Sequence, residues 1–508
     1  MKTTIFPNSS HKSIIEPYSA SDSDSFAYIS VTRRWPIILT QVIDKLVVEN
    51  NSLLDNLSFN PSSLDQDQSK ILKEKLTQGK FIISQISELK YESARNKEIK
   101  LLNEENQIQS ELETEVTELY NQEILRSKAA CKSTWFTASW LLTECYLYQR
   151  LHGFFKQHQH WNTYDPFEHQ KLNNLKSSWN AIITLSLKLN QFIQNSSSTS
   201  DPVTCNVLFD QFNQLLNASL WGNASDLSLL PNMTYEEIQY LQSISLRKPQ
   251  SILRDDSKLT WDSCLAFQDN EQLDKTKQIQ LQRVDFVLDN SGFELFTDLV
   301  LADWIVSNSN ARIVFHPKMI PWFVSDVMKK DIEALIDQMI EPKGFFKINC
   351  SVNSDETSLD DKATELDEAN FKLISELGTK WKGYFQTEVW KVIELEKMKF
   401  WTNPLPFWDI YYRDPTLLEE LKSSNLVIFK GDLNYRKLTG DCRWPSETRF
   451  EEAVGPLNGL FNLLSLRTCK ADVVVGLNKG QAEELDEIDE DWRINGKFGL
   501  ITFIPKED

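Results

Sequence analysis

The sequence predicts an α/β fold, in which a mostly parallel sheet flanked by helices forms the C-terminal half and a large, mainly α-helical part precedes it. Two observations support this prediction. Up to about residue 275, apolar residues recur at the three- and four-residue spacing of amphipathic helices. After that point, short β-branched or aromatic segments alternate with helical ones, which is typical of βαβ units.

This change of pattern divides the chain into three predicted regions. Residues 1–25 are polar and rich in Ser and Asp, which favours a flexible N-terminal tail. Residues 26–275 are predicted to form a mainly helical domain with an acidic, polar insertion near 51–115. Residues 276–508 are predicted to form an α/β domain that binds metal and phosphate.

The helices of the first half are predicted segment by segment. The segment "WPIILTQVIDKLVVEN" begins a helix at Trp35 and places Pro36 in the first turn, where proline is tolerated. The segment "STWFTASWLLTECYLYQRLHGFFKQ" is apolar enough for a buried helix. "LKSSWNAIITLSLKLNQFIQ" and "VLFDQFNQLLNASLWGNASDLSLL" continue the pattern, whereas the charged residues 51–128 favour solvated helices.

Six segments of the second half are predicted strands: "VDFVLDN", "RIVFHP", "NLVIFKGD", "LLSLRTC", "DVVVGL" and "FGLITFIP". Turn residues bound each segment, and helical segments separate several of them. The acidic stretch "SVNSDETSLDDKATELDEA" interrupts the alternation and is predicted to be a surface insertion.

Charge and cysteine content limit the classes of partner. The chain has 54 Lys and Arg residues against 73 Asp and Glu residues, a net charge of −19, which disfavours broad binding to nucleic acid or an anionic membrane. A local basic pocket can still bind an anion. The seven cysteines are scattered without a CxxC pair, and no apolar run reaches the length of a membrane span. These features, with the lack of an apolar signal segment at the start, predict a cytoplasmic protein, with the nucleus as a further compartment.

Polar side chains follow the predicted strands, where the carboxyl ends of parallel strands gather ligands. Carboxylate and amide oxygens suit Mg²⁺ or Mn²⁺, whereas Arg, Lys and a helix N-terminus near Gly292 suit phosphate oxygens. Together they predict metal-assisted phosphoryl transfer to water. The residues concerned are Asp289, Asn290, Ser291 and Gly292 after the first strand, Asp326 after the second, Asp432 to Lys437 after the third, and Arg467 and Lys470 after the fourth.

Each of these residues also has a simpler interpretation. Asp289 and Asn290 could form a turn, Asp326 could cap the following helix, and Asp432 could form an Asx turn. The basic residues could be surface charges. The placement of all of them after successive strands favours a shared site over these separate explanations.

Five longer segments resemble the damage-control phosphatases, and more narrowly their eukaryotic sugar-phosphate branch, subfamily III. The resemblance extends from about Phe26 to the end of the chain. The segments are "FAYISVTRRWPIILTQVIDKL", "LWGNASDLSLL", "VDFVLDNSGFELFTDLVLADWIV", "SNLVIFKGDLNYRKLTGD" and "SLRTCKADVVVGL".

The resemblance implies a set of site residues. It implies a divalent metal (Mn²⁺, Ni²⁺, Co²⁺ or Mg²⁺) held by Asp289, Asn290 and Asp326, with Asp289 as the catalytic residue. Glu144 and Asn223 lie in segments that resemble the helical part of the family, and buried structural roles fit them equally well. The implied substrate-binding residues are Arg34, Asp289, Asn290, Asp432, Leu433, Asn434, Tyr435, Arg436 and Lys470.

The expected function is metal-dependent hydrolysis of small sugar-phosphate monoesters, such as fructose 1-phosphate and fructose 6-phosphate, in metabolite damage control. The expected partner is the phosphorylated sugar; nucleic acid and membrane are not expected, and nothing indicates a protein partner. The alternative is an S-adenosylmethionine-dependent protein glutamate carboxyl methyltransferase, an activity described for relatives. Because the chain lacks a glycine-rich strand–loop–helix for such a cofactor, the phosphatase is favoured. A binding module without turnover is a third alternative.

Overall fold

The computed structural model describes residues 15–59, 65–102, 111–198, 205–222, 251–265, 283–346 and 360–507. In these residues seven strands form one sheet: β1 Ile252–Asp255, β2 Arg283–Val287, β3 Arg312–His316, β4 Trp390–Val392, β5 Leu426–Lys430, β6 Leu463–Thr468 and β7 Gly499–Ile504. Their order is β1-β7-β6-β5-β2-β3-β4. Neighbouring strands run parallel except β6 and β7, which are antiparallel. The predicted α/β fold class is confirmed.

Helices dominate the first half and flank the sheet in the second. None of the described helices is long and apolar enough to cross a membrane. The helices of eight or more residues are α1 Trp35–Phe59, α2 Gln66–Ala94, α3 Glu111–Ala129, α4 Trp140–Lys156, α5 Glu168–Ser177, α6 Trp179–Ser198, α7 Cys205–Gly222, α8 Phe293–Asn308, α9 Lys329–Ile340, α10 Asp360–Gln386, α11 Pro415–Lys422, α12 Gly431–Leu438 and α13 Gln481–Ile488.

The strand order creates a crevice at the carboxyl ends of β2 and β5. From β2 the chain passes to β3 on one side, and it later returns as β5 on the other side of β2. Ligands of open α/β sheets bind where the strand order reverses in this way. The segments after β2 and β5 therefore occupy the position that the fold provides for a ligand.

The helical N-terminal part packs against the loops at this same edge. A single apolar cluster joins Leu39 of α1 and Tyr148 of α4 to Phe323, Leu433 and Ala471, which all follow strands. The two faces of the sheet are covered separately, by α6, α7, α8, α9 and α10 on one side and by the segments after β4, β5 and β6 on the other. The helical part therefore encloses the strand-end loops and excludes water from them.

The prediction that "DVVVGL" is a strand is wrong. This segment is buried, but its backbone donors bond outside any ladder: Val475 N donates to Tyr435 Oη at 3.0 Å, and Gly476 N to Thr448 O at 2.8 Å. The apolar residues of this segment therefore reflect its burial and not a β-strand. The short strands β1 and β4 were not predicted, because three or four residues carry too little alternation.

The first long helix is confirmed, and α1 starts at Trp35 as predicted. A short helix, Phe26–Ile29, and a π turn, Ser30–Arg34, were not predicted and lead directly into α1. Pro36 has no N–H, and its ring crowds the carbonyl four residues earlier. The wider π turn, in which Trp35 N donates to Ser30 O, accommodates the proline and leaves Arg34 buried.

The predicted flexible tail does not extend to residue 25. Residues 1–14 lie outside the described residues, but Pro17 bridges to Cys442 and Tyr18 N donates to Asp441 O at 2.9 Å. Asp22 forms an ion pair with Arg443 at 2.6 Å. These contacts hold residues 17–22 against the chain that follows α12. The Ser- and Asp-rich composition gave no indication of them.

Some other predictions fall wholly or partly outside the described residues. They are Asn223 and the end of the predicted helical segment that contains it, residues 60–64 and 103–110 of the polar insertion near 51–115, and residues 351–359 of the acidic stretch "SVNSDETSLDDKATELDEA". The remainder of that stretch, from Asp360, begins α10.

Candidate functional site

The end of β2 continues into a short second pairing that brings the predicted metal ligands together. Asn290 forms an antiparallel bridge with Asp326. The N–H of Val327 donates to Asp289 O, and the N–H of Ser291 donates to Ser325 O, each at 2.7 Å. Asp289, Asn290 and Asp326 are each 2% exposed. The helix-cap alternative for Asp326 is excluded, because α9 starts later, at Lys329, after Met328.

The loop before Asp326 holds two buried residues in the left-handed backbone region. Phe323 has φ 44° and Val324 has φ 69°, an unusual conformation for a β-branched residue. Such residues cost roughly 1–3 kcal/mol each and concentrate at functional sites. Tyr148 of α4 stacks on Phe323 with ring centroids 4.7 Å apart. The helical part thus stabilises the strained turn that presents Asp326 to Asn290.

The start of α12 lies directly against Asp289. Gly431 has φ +81°, and a Cβ at this position would lie 1.8 Å from Asp289 Oδ2. Glycine supplies both the left-handed backbone and the space that the carboxylate occupies. The Asp289 carboxylate, after β2, therefore lies directly against the backbone of Gly431, after β5.

Lys318 is a site residue that the sequence analysis missed. It follows β3 and is 1% exposed. Its Nζ donates to Leu288 O at 2.7 Å and lies 3.5 Å from Asp326 Oδ2. Its place directly after the predicted strand "RIVFHP" was a usable signal, since the same rule selected Asp289.

Asp432 and Lys470 are brought together across β5 and β6. Asp432 Oδ1 accepts from Arg467 Nε at 2.8 Å and from the backbone N–H of Lys470 at 3.2 Å. Arg467 also donates to Ala471 O and Val473 O, so it folds the loop that carries Lys470. The surface-charge alternative is excluded for both basic residues, because Arg467 and Lys470 are fully buried.

Arg436 and Arg34 share one buried carboxylate, that of Glu144. Glu144 Oε2 accepts from Arg436 Nη1 at 2.7 Å, and its Oε1 lies 3.8 Å from Arg34 Nη1. Asp441 binds the other edge of the Arg436 guanidinium at 3.1 and 3.0 Å, and this group lies over the Trp140 ring. Arg436 is thus held by two carboxylates, which raise its pKa above the ordinary value although burial lowers it.

The other residues of the α12 segment point in different directions. The amide of Asn434 donates to Val287 O, Leu288 O and Lys430 O at 2.7–3.2 Å and so ties the ends of β2 and β5 together. Leu433 packs in the apolar cluster of the helical part. Tyr435 Oη accepts from Val475 N at 3.0 Å, and burial raises its pKa to about 12. Tyr435 therefore supports the loop after β6.

We expect Tyr435→Phe to leave KM for a phosphorylated substrate within about twofold. The variant should lose roughly 1–2 kcal/mol of stability, because Val475 N loses its buried acceptor. Steady-state kinetics and thermal denaturation of the same preparation test both effects. A large rise in KM with unchanged stability would instead place the hydroxyl on the substrate, as the resemblance implied.

One of the backbone donors at the N-terminus of α8, where phosphate donors were expected near Gly292, is already bonded within the protein. Asn174 of α5 occupies that position, since its Oδ1 accepts from Phe293 N at 3.0 Å. A Cβ on Gly292 would lie 2.2 Å from the same oxygen. The α8 terminus is therefore partly capped by a side chain.

A second group of charges is buried behind Asn290. Glu294 lies 2.8 Å from Asn290 Nδ2, and its other oxygen lies 3.2 Å from Lys430 Nζ. Lys430 also pairs with Asp298 at 2.8 Å. Burial raises the pKa of Asp298 to about 6. Burial lowers the pKa of Lys430, but Asp298 and Glu294 outweigh it, so that pKa lies above its ordinary value.

The donor set suits a hard divalent cation. Among the described residues, no three or more His, Cys, Asp or Glu side chains form a group that could hold a metal ion. The predicted set is instead two carboxylates and one amide, which fits Mg²⁺ or Mn²⁺ because these ions keep several waters and bind phosphate oxygens. Ser291 Oγ and Asp432 Oδ2 are buried without a hydrogen-bond partner in the described structure, as expected beside a polar ligand.

Comparisons with known proteins identify the family of this chain. The model of the "Damage-control phosphatase ARMT1-like domain" family matches residues 30–485. Damage-control phosphatase ARMT1 of Danio rerio is 34% identical over 496 residues, 96% of each chain. The Homo sapiens protein is 34% identical over 492 residues, 96% of this chain and 97% of its own. A solved DUF89 family protein from Pyrococcus horikoshii covers 79% of this chain and 92% of its own at 12% identity, with a TM-score of 0.36. The chain therefore belongs to the damage-control phosphatase ARMT1-like family.

Proposed function

We propose that this protein hydrolyses small sugar-phosphate monoesters, with fructose 1-phosphate and fructose 6-phosphate as preferred substrates, and that Asp289, Asn290 and Asp326 bind the required divalent metal. The observation that carries the proposal is the pairing of these three residues at the reversal of strand order. Family membership supports it, since damage-control phosphatase is the name of its relatives. The five described free cysteines agree with our proposed cytoplasmic location.

Each buried residue of the site has a separate role in the proposed reaction. A divalent metal held by Asp289, Asn290 and Asp326 would supply positive charge to the phosphoryl oxygens and would lower the pKa of the attacking water. Asp289 accepts the proton of the attacking water, and Lys470 neutralises a phosphoryl oxygen. Asp432 binds a sugar hydroxyl through its second oxygen, and Arg436 keeps the α12 segment in register through Glu144 and Asp441. The enclosing helices exclude bulk water, which strengthens each of these interactions.

The described turn after β2 lacks the glycine-rich loop that the methyltransferase alternative requires. The turn between β2 and α8 has a single glycine, Gly292, and Asn174 fills the space beside it. A nucleotide-like cofactor needs glycines there so that the backbone can approach it closely. Calorimetric titration with S-adenosylmethionine should therefore give no binding heat.

Phosphate release from a panel of sugar phosphates tests the proposed function. The protein is stripped with EDTA, and Mn²⁺, Mg²⁺, Co²⁺ or Ni²⁺ is added back singly. We expect release only with added metal and the highest kcat/KM for the fructose phosphates. Release that EDTA does not affect, or no release with any metal, would overturn the proposal.

A further inference from the structure

We propose that Glu294, held by the buried Lys430, is a positioning residue that fixes which end of the Asn290 amide faces the metal. The inference rests on the metal-binding role proposed for Asn290. It adds a function for two residues that the metal-ligand set does not contain.

The amide orientation follows from the contacts of its nitrogen. Asn290 Nδ2 donates to Asp289 Oδ2 at 3.0 Å and to Glu294 Oε2 at 2.8 Å. An amide nitrogen has two protons, and each has a carboxylate acceptor here. The amide oxygen must then lie on the opposite side, where it accepts from Ser325 Oγ at 2.6 Å. A carbonyl oxygen has a second lone pair, which leaves room for a cation.

Glu294 is in turn fixed by Lys430. Glu294 is the second residue of α8 and is fully buried. Its Oε1 lies 3.2 Å from Nζ of Lys430, the last residue of β5, and this Nζ also donates to Ser219 O at 2.6 Å. A buried ion pair costs desolvation, and apolar residues often stabilise a fold as well or better. The orientation of Asn290 gives this costly arrangement a function.

Glutamate is the side chain that satisfies both neighbours. Asn290 Nδ2 and Lys430 Nζ are both donors, so the residue between them must present two acceptors. A glutamine of the same shape has one oxygen and one NH₂ group, so it can accept from only one of them. In Glu294→Gln the Asn290 amide therefore loses one anchor and can turn its NH₂ group toward the metal.

The test is the dissociation constant for Mn²⁺, measured by electron paramagnetic resonance of free Mn²⁺ on EDTA-stripped protein. We expect Glu294→Gln to bind Mn²⁺ about 10–100-fold more weakly than the wild type, as for other residues that orient a metal ligand. Asp298→Asn is the matched control, since Asp298 pairs with the same Lys430 but makes no hydrogen bond to Asn290 in the described part of the chain. It should lower the thermal midpoint and leave the Mn²⁺ constant within about twofold.

A rescue variant separates orientation from general damage. Both oxygens of a carboxylate can bind a metal, so the orientation of an aspartate at position 290 does not matter. The double variant Asn290→Asp/Glu294→Gln should therefore regain most of the Mn²⁺ affinity that Glu294→Gln alone loses. Equal Mn²⁺ affinity of wild type and Glu294→Gln, equal loss in Asp298→Asn, or no recovery in the double variant would each overturn the inference. Failure of the wild type to bind Mn²⁺ at all would instead overturn the proposed function.

Discussion

Asp289→Asn should lower kcat/KM for a sugar phosphate by roughly 10²–10³, which corresponds to about 3–4 kcal/mol of transition-state stabilisation. Asparagine keeps the shape that packs against Gly431 but removes the charge that would bind the metal and the oxygen that accepts the water proton. The fold should be retained, which circular dichroism checks.

Asp303→Asn is the control for this change. Asp303 lies in α8, is fully buried, and binds Lys380 and Trp381 at 2.6 and 2.9 Å. Its loss should lower the thermal midpoint and leave kcat/KM within about threefold. If Asp289→Asn retained wild-type turnover, Asp289 would have no part in the chemistry.

Gly431→Ala should abolish turnover and lower stability by about 2–5 kcal/mol. The expected loss combines the left-handed backbone, which costs about 1–2 kcal/mol for a residue with a Cβ, and the collision with Asp289 Oδ2. The collision cannot be relieved without moving either the metal ligand or the start of α12. Kinetic assays and thermal denaturation measure the two consequences.

Gly480→Ala isolates the backbone contribution. Gly480 has φ +82°, almost the value at Gly431, but no atom lies within 4 Å of a Cβ built there. This variant should lose only about 1–2 kcal/mol and keep full activity. Equal behaviour of the two variants would show that Gly431 serves only its own backbone.

The rule that carboxyl ends of parallel strands meet predicted the residues of the candidate site from the sequence. It selected Asp289, Asn290, Asp326 and Lys470, and all four lie buried after strands. The rule applies because a parallel sheet places sequence-distant strand ends at one edge. The joint occurrence of polar residues after successive strands was therefore informative, although each residue alone was ambiguous.

The α12 segment shows where sequence reasoning was too coarse. Consecutive helical residues point about 100° apart, so Asp432 to Arg436 cannot all face one ligand. In the structure Asp432 faces the loop with Lys470, whereas Tyr435 and Arg436 bind Val475 and Glu144. A helical wheel drawn from Gly431 would have separated these directions.

Other features depended on tertiary contacts that sequence patterns do not contain. The left-handed backbone of Phe323 and Val324 gives no sequence signal, because neither residue type favours it. The sequence does contain a signal for Glu294, because a charged residue inside the apolar run "FELFTDLVLADWIV" must find a buried partner. That partner, Lys430, is distant in the sequence and could be identified only from the structure.

Anomalous diffraction from a crystal soaked in Mn²⁺ tests the central claim most directly. The account predicts one strong anomalous peak within metal–oxygen bonding distance of Asp289, Asn290 and Asp326, and its absence in crystals of Asp289→Asn/Asp326→Asn. A strong peak elsewhere, with none between these three residues, would contradict the account.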